Sequence, residues 1–503
     1  MNDQHTRKHG MLRGLENVTG SSTFEGRFGR MFRTLPKAEF TDSALKALAD
    51  AMSAPKEDTP TPETETDDEE NSGISAGYTY LGQFIDHDLT FDPASSLQKQ
   101  NDPNSLVDFR TPKFDLDNIY GRGPDDQPYL YEKDGKKFVL GRSLINSDLD
   151  KNVRDVQRNN PDTGDKRAII GDPRNDENVI VSQLQGIFLR FHNRMIDLNP
   201  NADVATVQRM VRWHYQWVVL HDFLPTIIGD EILGKILPHL AKKTSIHKDK
   251  PELSFYKWTK EPFMPVEFSV AAYRFGHSMV RPIYRLNQVV PRFDIFSDDP
   301  LTSLTGFREF PKEWAIDWRL FFDFGNKPDP HSSQRIQPAY KIDSSLVNPL
   351  ANLPLSIATG IRSLPLRNLT RGSRMGLPSG QDVARKMNIP VVPDEKLKVG
   401  KANQDGQTAN QPISKIDPSF TNKAPLWFYI LAESQQVFVN NDTPIRLGPV
   451  GGRIVGEVFV GLMLGDSHSF LSQEPTWTPI PEFMNKNKEF GIAELISQAI
   501  QAK

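Results

Sequence analysis

Between residues 181 and 225 apolar side chains recur at helical spacing, and that pattern restricts the chain to folds built mainly from helices. In VSQLQGIFLRFHNRM, Leu184, Ile187, Phe188, Phe191 and Met195 fall at i, i+3, i+4, i+7 and i+11, the stripe of one buried helix face. VATVQRMVRWHYQWVVLHDFLP repeats the stripe through Val207, Met210, Val211, His214, Val218 and His221. It is expected to stop at Pro225, whose ring and missing N–H break a helix interior. Residues 424–436 and 449–471 read as further helices, and Thr41 suits the cap of a short one over TDSALKALADAMS. Strand signals are short and scattered, KKFVLG at 136–141 being an example. No internal repeat and no regular strand–helix alternation is present. The expected fold class is mainly α, a large helical domain with few short strands and long loops punctuated by 38 prolines.

One segment departs from this pattern. Residues 54–73, APKEDTPTPETETDDEENSG, hold eight acidic residues against one lysine, too little apolar surface to offset the entropy of ordering. We read them as an acidic, low-complexity loop that separates an N-terminal extension, 1–53, from a catalytic body, 74–503. Charge balance argues against some partners: 60 Lys+Arg face 64 Asp+Glu, which gives no basic excess for a nucleic acid or an anionic membrane. No run approaches the ~18 apolar residues of a membrane span. The stretch MNDQHTRKHGMLRGLENVTG lacks the apolar core of a signal peptide, so the default compartment is the cytoplasm and leaderless export stays open. The chain has no cysteine, which excludes a thiolate-ligated metal, a thiol nucleophile and disulfide bracing.

Four constellations carry chemistry. In YTYLGQFIDHDLTFD, residues 78–92, Gln83, Asp86 and His87 stand at i, i+3 and i+4 on a helix, with Asp88 about a hundred degrees further round. Polar side chains set among Leu81, Phe84, Ile85, Leu89 and Phe91 are costly to bury unless they serve something. In GDPRNDENVIVSQLQ, Pro173 and Asp176 suit a helix start with Arg174, Glu177 and Asn178 on its first-turn face; by spacing alone, Arg174 and Glu177 make a surface ion pair. AAYRFGHSMVRP sets His277 three residues after Arg274, and RNLTRGSRMGLPSGQ, 367–381, reads on its own as a solvated basic loop. A lone histidine in either setting would be structural by default.

Taken together and in this order, these motifs resemble the animal-type haem peroxidases of the peroxidase–cyclooxygenase superfamily, in particular the bacterial members. The similarity runs through GQFIDHDLTF (82–91), TPKFDLDNIYG (111–121), GDPRNDEN and FLRFHNRM (171–195), HDFLP (221–225), YRFGHSMVRP (273–282), RNLTRGSRMGLP (367–378) and LGPVGGRIVGEVFVGLMLGD (447–466).

The resemblance implies haem b and calcium as cofactors, with hydrogen peroxide and a small phenolic or anionic donor such as a halide or thiocyanate as partners. It also implies a place in the response to oxidative stress. His87 would be the distal acid/base, Arg174 the stabiliser of developing charge, and Gln83 a hydrogen-bond partner of the distal water or a small anionic donor. His277 would ligate the haem iron, with Asn368 accepting the N–H of its ring. Arg274 and Arg371 would lie near the haem propionates. Asp86 and Glu177 occupy the positions from which some members form ester bonds to haem; position 178 is Asn178, not methionine, so no sulfonium link is implied. Asp88, Thr111, the carbonyl of Lys113, Asp115 and Asp117 would bind Ca2+. The loop departs from the family pattern in carrying Lys113 where an aromatic is common and Asp117 where a serine is common. The second aspartate should tighten the site, whereas a Lys113 ammonium turned inward would weaken it.

Two rivals bear on the same fold. A fatty-acid dioxygenase needs a tyrosine three residues before the proximal histidine; here Arg274 stands there, and Tyr273 lies four residues before His277. A calcium-stabilised interaction protein without catalysis would have lost His87, Arg174, His277 or Asn368, and all are present. LGPVGGRIVGEV does not match G-x-G-x-x-G, so its glycines are expected to serve close helix packing.

Overall fold

The computed structural model describes residues 26–56, 68–90, 107, 108 and 110–502, apart from positions 291, 298, 327, 330, 331, 356, 359 and 441. Residues 57–67 of the acidic segment and residues 1–25 of the N-terminal extension lie outside them. The chain is 43% helical against 9% strand, the mainly-α architecture expected. Among the described residues the largest sheet has three short strands: Gly26–Gly29 pairs antiparallel with Val107–Asp108 and parallel with Met264–Pro265. Among the described residues no helix is long and apolar enough to cross a membrane.

Helix α1 (Asp42–Ala51) starts where expected, with Thr41 Oγ1 accepting from Ala44 N–H at 3.1 Å. Helix α2 (Ala76–Leu89) carries the Gln83–Asp88 motif, and a single turn, α3 (Asp117–Tyr120), follows the loop 111–116. Gly77 is needed at the start of α2, because a Cβ there would lie 2.5 Å from both the Phe321 carbonyl and the Phe322 ring. Helix α4 (Val179–Leu198) is buried on nearly every side, 17 of its 20 residues lying inside, a wider contact than the single stripe expected. Its polar residues are matched to partners: Gln183 Nε2 donates to Trp314 O at 2.7 Å, Asn193 Nδ2 to Phe138 O at 3.0 Å, and Arg190 pairs with Asp150.

Three local expectations are corrected. Helix α5 (Val204–Val218) does not stop at Pro225; it widens into a π-helical turn over Val219–Phe223 and continues as α6 (Leu224–Ile236). Leu224 N–H reaches back five residues to Val219 O, and Pro225 then falls in the first turn of α6, where a missing N–H costs little. Residues 367–381 are largely not a solvated loop: a helix runs Leu364–Arg374, with Ser363 Oγ accepting from Leu366 N–H and Pro365 in its first turn. Asn178 does not share a helical face with Arg174. It is the cap of α4, accepting from Ile180 N–H at 2.8 Å, after a separate 3-10 turn over Pro173–Asp176.

The remaining elements follow the sequence closely. Strand Leu140–Ser143 pairs with Arg154–Val156, slightly later than KKFVLG suggests. Helices Leu426–Ser434 and Pro449–Gly465 form, and the second ends at Asp466 before a short turn, Phe470–Gln473. Its glycines do permit close packing: a Cβ on Gly456 would lie 2.4 Å from Ile236 of α6, and one on Gly461 2.2 Å from the Tyr256 ring. Phe84 stacks on Phe188 at 4.4 Å with Tyr215 edge-on to both, which joins α2, α4 and α5 in one core.

Candidate active site

Helix α2 and the segment Asp172–Glu177 meet so that most of the candidate distal side chains converge. His87 is almost wholly buried, with Nδ1 2.6 Å from Asn175 Oδ1 and Nε2 3.5 Å from Glu177 Oε1. Gln83 Nε2 donates to Glu177 Oε1 at 2.5 Å. Arg174 makes no surface ion pair with Glu177. Its guanidinium donates to the His87 carbonyl at 2.9 Å and to Asp172 Oδ2 at 2.7 Å. Proline at 173 and the Asp172 side chain, which accepts from Arg174 N–H at 2.8 Å, set the 3-10 turn that aims this arginine.

Asp172 is fully buried and also accepts from Arg110 Nε at 3.1 Å and Nη2 at 2.7 Å. Burial alone would raise its pKa, but the Arg174 and Arg110 charges outweigh it and hold the carboxyl well below the usual carboxylate range. Asp172, Asn175 and Arg110 were not singled out by the sequence. The only signal for Asp172 was a capping residue ahead of a proline; Asn175 and Arg110 carried none.

His277 ends a 3-10 helix over Ala272–His277, and its Nδ1 lies 2.7 Å from Asn368 Nδ2 on the helix Leu364–Arg374. As placed, the amide nitrogen faces the ring; a half-turn of the amide brings Oδ1 there and makes Asn368 the acceptor of an Nδ1–H. Burial first, then the neighbouring Arg274 charge, pushes the His277 pKa down to about 3, with Asp86 pulling the other way. The ring is therefore neutral, the state an iron ligand requires. Arg274 Nε donates to Ser269 O at 2.9 Å, and Nη1 lies 3.6 Å from Asp86 Oδ2, so the His277 segment faces α2 directly. Arg371 lies one turn beyond Asn368 on the same helix.

In a 3-10 helix successive residues are about 120° apart, a larger turn than the hundred degrees of an α-helix. Both side chains nevertheless reach α2, one turn apart, Arg274 at Asp86 and Tyr273 at Gly82. The Tyr273 hydroxyl donates to Gly82 O at 3.2 Å and its ring stacks on Phe268.

Asp88, Asp115 and Asp117 form a third cluster, each offering one carboxylate oxygen within 4.8 Å of the others. The loop turns through Leu116, whose φ of 57° is left-handed, and this lets both loop aspartates face Asp88. Thr111 Oγ1 donates to Asp115 Oδ2 at 2.7 Å. Both carboxylate oxygens of Asp88 and Oδ1 of Asp117 are buried with no hydrogen-bond partner, a costly arrangement without a cation. Burial, then repulsion from Asp115 and Asp117, raises the Asp88 pKa well above its ordinary value. The Lys113 ammonium lies 3.7 Å from Asp466 Oδ1, and both charges act on Asp115, Lys113 favouring its ionised form and Asp466 opposing it.

A family model described as animal haem peroxidase matches residues 95–394, well over half of the chain. The chain belongs to the animal haem peroxidase family. Relatives of the family include chorion peroxidase of Drosophila melanogaster, 27% identical over 301 residues that make up 55% of this chain and 33% of that protein. Thyroid peroxidase of Sus scrofa is 25% identical over 309 residues, 59% of this chain and 30% of the relative. The chain thus spans about a third of either relative's length. Peroxidase A from Dictyostelium discoideum superposes with a TM-score of 0.56 at 16% identity, covering 92% of this chain and 93% of that one. Oryza sativa fatty acid alpha-dioxygenase superposes with a TM-score of 0.51 at 14% identity, covering 95% and 79%. These likenesses establish the mainly-α haem-peroxidase fold.

Proposed function

We propose that this animal haem peroxidase reduces hydrogen peroxide with haem b held by His277 and oxidises phenolic or small anionic donors, halide or thiocyanate among them. The observation that carries the reading is the pairing of two histidine sites on facing segments: a neutral His277 beside Asn368, and a buried His87 beside Arg174. A neutral, desolvated imidazole fits iron ligation. Bound there, haem would supply the oxidising equivalents drawn from peroxide and passed to the donor.

The chain's own residues would do the rest. His87 Nε2 would take a proton from hydrogen peroxide and return it to the departing oxygen. Arg174, a permanent cation fixed by Asp172, offsets the negative charge that develops as the O–O bond breaks. Gln83, uncharged, hydrogen-bonds the distal water or a small anionic donor. Asn368 orients the His277 ring, and Arg274 and Arg371 hold the haem propionates. Asp86 and Glu177 supply the carboxylates for ester links to haem. Asp88, Thr111, the Lys113 carbonyl, Asp115 and Asp117 bind Ca2+, a hard cation that accepts such an all-oxygen set. Residues 74–503 form the catalytic body, with 1–53 an extension and 54–73 an acidic loop.

Haem titrated into the full chain should give a histidine-ligated high-spin ferric spectrum and peroxide-dependent oxidation of a phenolic dye. His87→Ala should keep the haem and slow the reaction with peroxide by roughly 10²–10⁴-fold, the usual worth of a general acid/base. No haem uptake would end the proposal, and unchanged peroxide kinetics in His87→Ala would remove His87 from it. A donor screen of halides, thiocyanate, phenols and polyunsaturated fatty acids separates peroxidase from dioxygenase.

A further inference from the structure

The distal histidine can act as a base toward peroxide only if the nitrogen facing the reaction carries a lone pair. Which nitrogen holds the proton is set by the hydrogen bond made at the other one. Three buried amides bear on that choice. Gln185 of α4 places Nε2 3.4 Å from the main-chain carbonyl of Asn118 on α3. A carbonyl can only accept, so this end of Gln185 is its NH2, and its Oε1 is turned to Asn175, 2.7 Å from Nδ2. An amide oxygen likewise only accepts, so Asn175 presents its NH2 to Gln185 and its Oδ1 to His87 Nδ1, 2.6 Å away. The sequence of donors and acceptors leaves one consistent answer at the ring: Nδ1 carries the hydrogen.

Burial keeps the relay from being scrambled by water. Asn118, Asn175 and Gln185 are fully buried and His87 nearly so, and Asn118 Nδ2 donates in turn to Phe84 O on α2 at 3.3 Å. The relay therefore starts from the main chain of α3, beside the loop that carries Asp115 and Asp117, and closes on the helix that carries His87. The competing group is the Glu177 carboxylate near Nε2, which would draw a proton to that side. It already accepts from Gln83 and lies 3.5 Å from the ring, a much longer contact than that of Asn175 at 2.6 Å.

We propose that Asn175, oriented by Gln185, is a positioning residue that holds His87 as the Nδ1–H tautomer and leaves Nε2 as the proton acceptor. Its catalytic consequence rests on the reading of His87 as the peroxide base; the tautomer itself does not. The histidine alone attracts attention in the sequence, and nothing in GDPRNDEN marks the asparagine.

Neutron diffraction from deuterium-exchanged crystals of the holoenzyme at pH 8 reads the proton directly. Deuterium at Nδ1 of His87 and none at Nε2 is expected; deuterium at Nε2, alone or with Nδ1, overturns the proposal. Stopped-flow kinetics of the haem-loaded chain with hydrogen peroxide provide a second measure. Asn175→Leu, which removes the acceptor, should slow the reaction by about 10²–10⁴-fold at unchanged haem content. Asn175→Asp, which keeps an acceptor oxygen, should lose less than about tenfold. Equal losses in the two variants would refute the positioning role. If deuterium sits at Nδ1 while His87→Ala reacts normally with peroxide, the tautomer stands and the reading of His87 as the base falls.

Discussion

At the scale of single residues, the candidate distal site depends on a carboxylate that touches no reacting atom. Asp172 accepts from both Arg110 and Arg174 and is itself fully buried. Removing one member of a buried, hydrogen-bonded charge set leaves the others uncompensated, typically at a cost of several kcal/mol. Asp172→Asn keeps the shape and removes the charge, so it should destabilise the protein by roughly 3 kcal/mol in urea melts at pH 7. Because the folded carboxyl is held below its usual range, its contribution is complete above the unfolded value near 3.9 and is lost as pH falls through the folded value. Wild type and variant should therefore converge in acid. Parallel stability curves from pH 7 to pH 3 and below would disprove the assignment. His87, Arg174, Glu177 and His277 stand out in the sequence only through the family resemblance of their motifs, since spacing alone reads the histidines as structural and Arg174 and Glu177 as a surface ion pair. Asp172, Asn175 and Arg110 do not stand out, since their roles arise from partners 62 or 88 positions away in the chain.

At the scale of elements, helical periodicity located the helices well and their interruptions poorly. Pro225 looked like an end because the sequence shows the lost N–H but not the wider turn at Val219–Phe223 that accommodates it. The helix Leu364–Arg374 is hidden in the sequence because arginines dominate its half-buried face, although Ser363 and Pro365 mark its start. A further element-scale effect lies at the start of the helix Pro449–Gly465. Glu433 is buried there and accepts from Val450 N–H at 2.9 Å and Gly451 N–H at 3.3 Å. Burial outweighs those bonds and pushes its pKa up to about 8. Between about 4.5 and 8 the folded chain holds a proton at Glu433 that the unfolded chain releases, so this group makes stability fall as pH rises. Glu433→Gln removes that linkage. The stability of wild type minus that of the variant should decline across the window by up to about 1.4 kcal/mol per pH unit. A difference that stays flat from pH 5 to pH 8 would show that the carboxyl ionises normally.

At the scale of the whole molecule, a chain without cysteine must brace distant segments by other means. The described part of the N-terminal extension is held by Glu267, which accepts from Met31 and Phe32 N–H, and by Arg30, which donates to Met375 O at 2.6 Å. With a cation bound, the acidic cluster would be the larger brace, because it would join α2 through Asp88 to the loop Thr111–Asp117 and, through the bond from Arg212 Nε to Asp115 O at 2.6 Å, to α5. One buried carboxyl, Asp88, and two half-buried ones, Asp115 and Asp117, crowd that space and repel one another, and Asp88 and Asp117 leave oxygens unpartnered. A divalent cation with several oxygen ligands removes both penalties at once, and Ca2+ tolerates the irregular geometry better than Mg2+, which demands a near-octahedral shell. A ligand that binds only the folded state stabilises by about 2.7 kcal/mol at a hundredfold excess over its Kd. Calorimetric unfolding of the full chain should therefore show a Tm that rises with Ca2+, falls on chelation, and responds weakly to Mg2+. Asp88→Asn should lose the Ca2+ response, since it removes a ligand charge from the helix that carries His87. If chelation leaves the Tm unchanged and titration of the chelated protein with Ca2+ releases no heat, the cluster is not a cation site. Its carboxyls would then have to be held protonated by the protein alone.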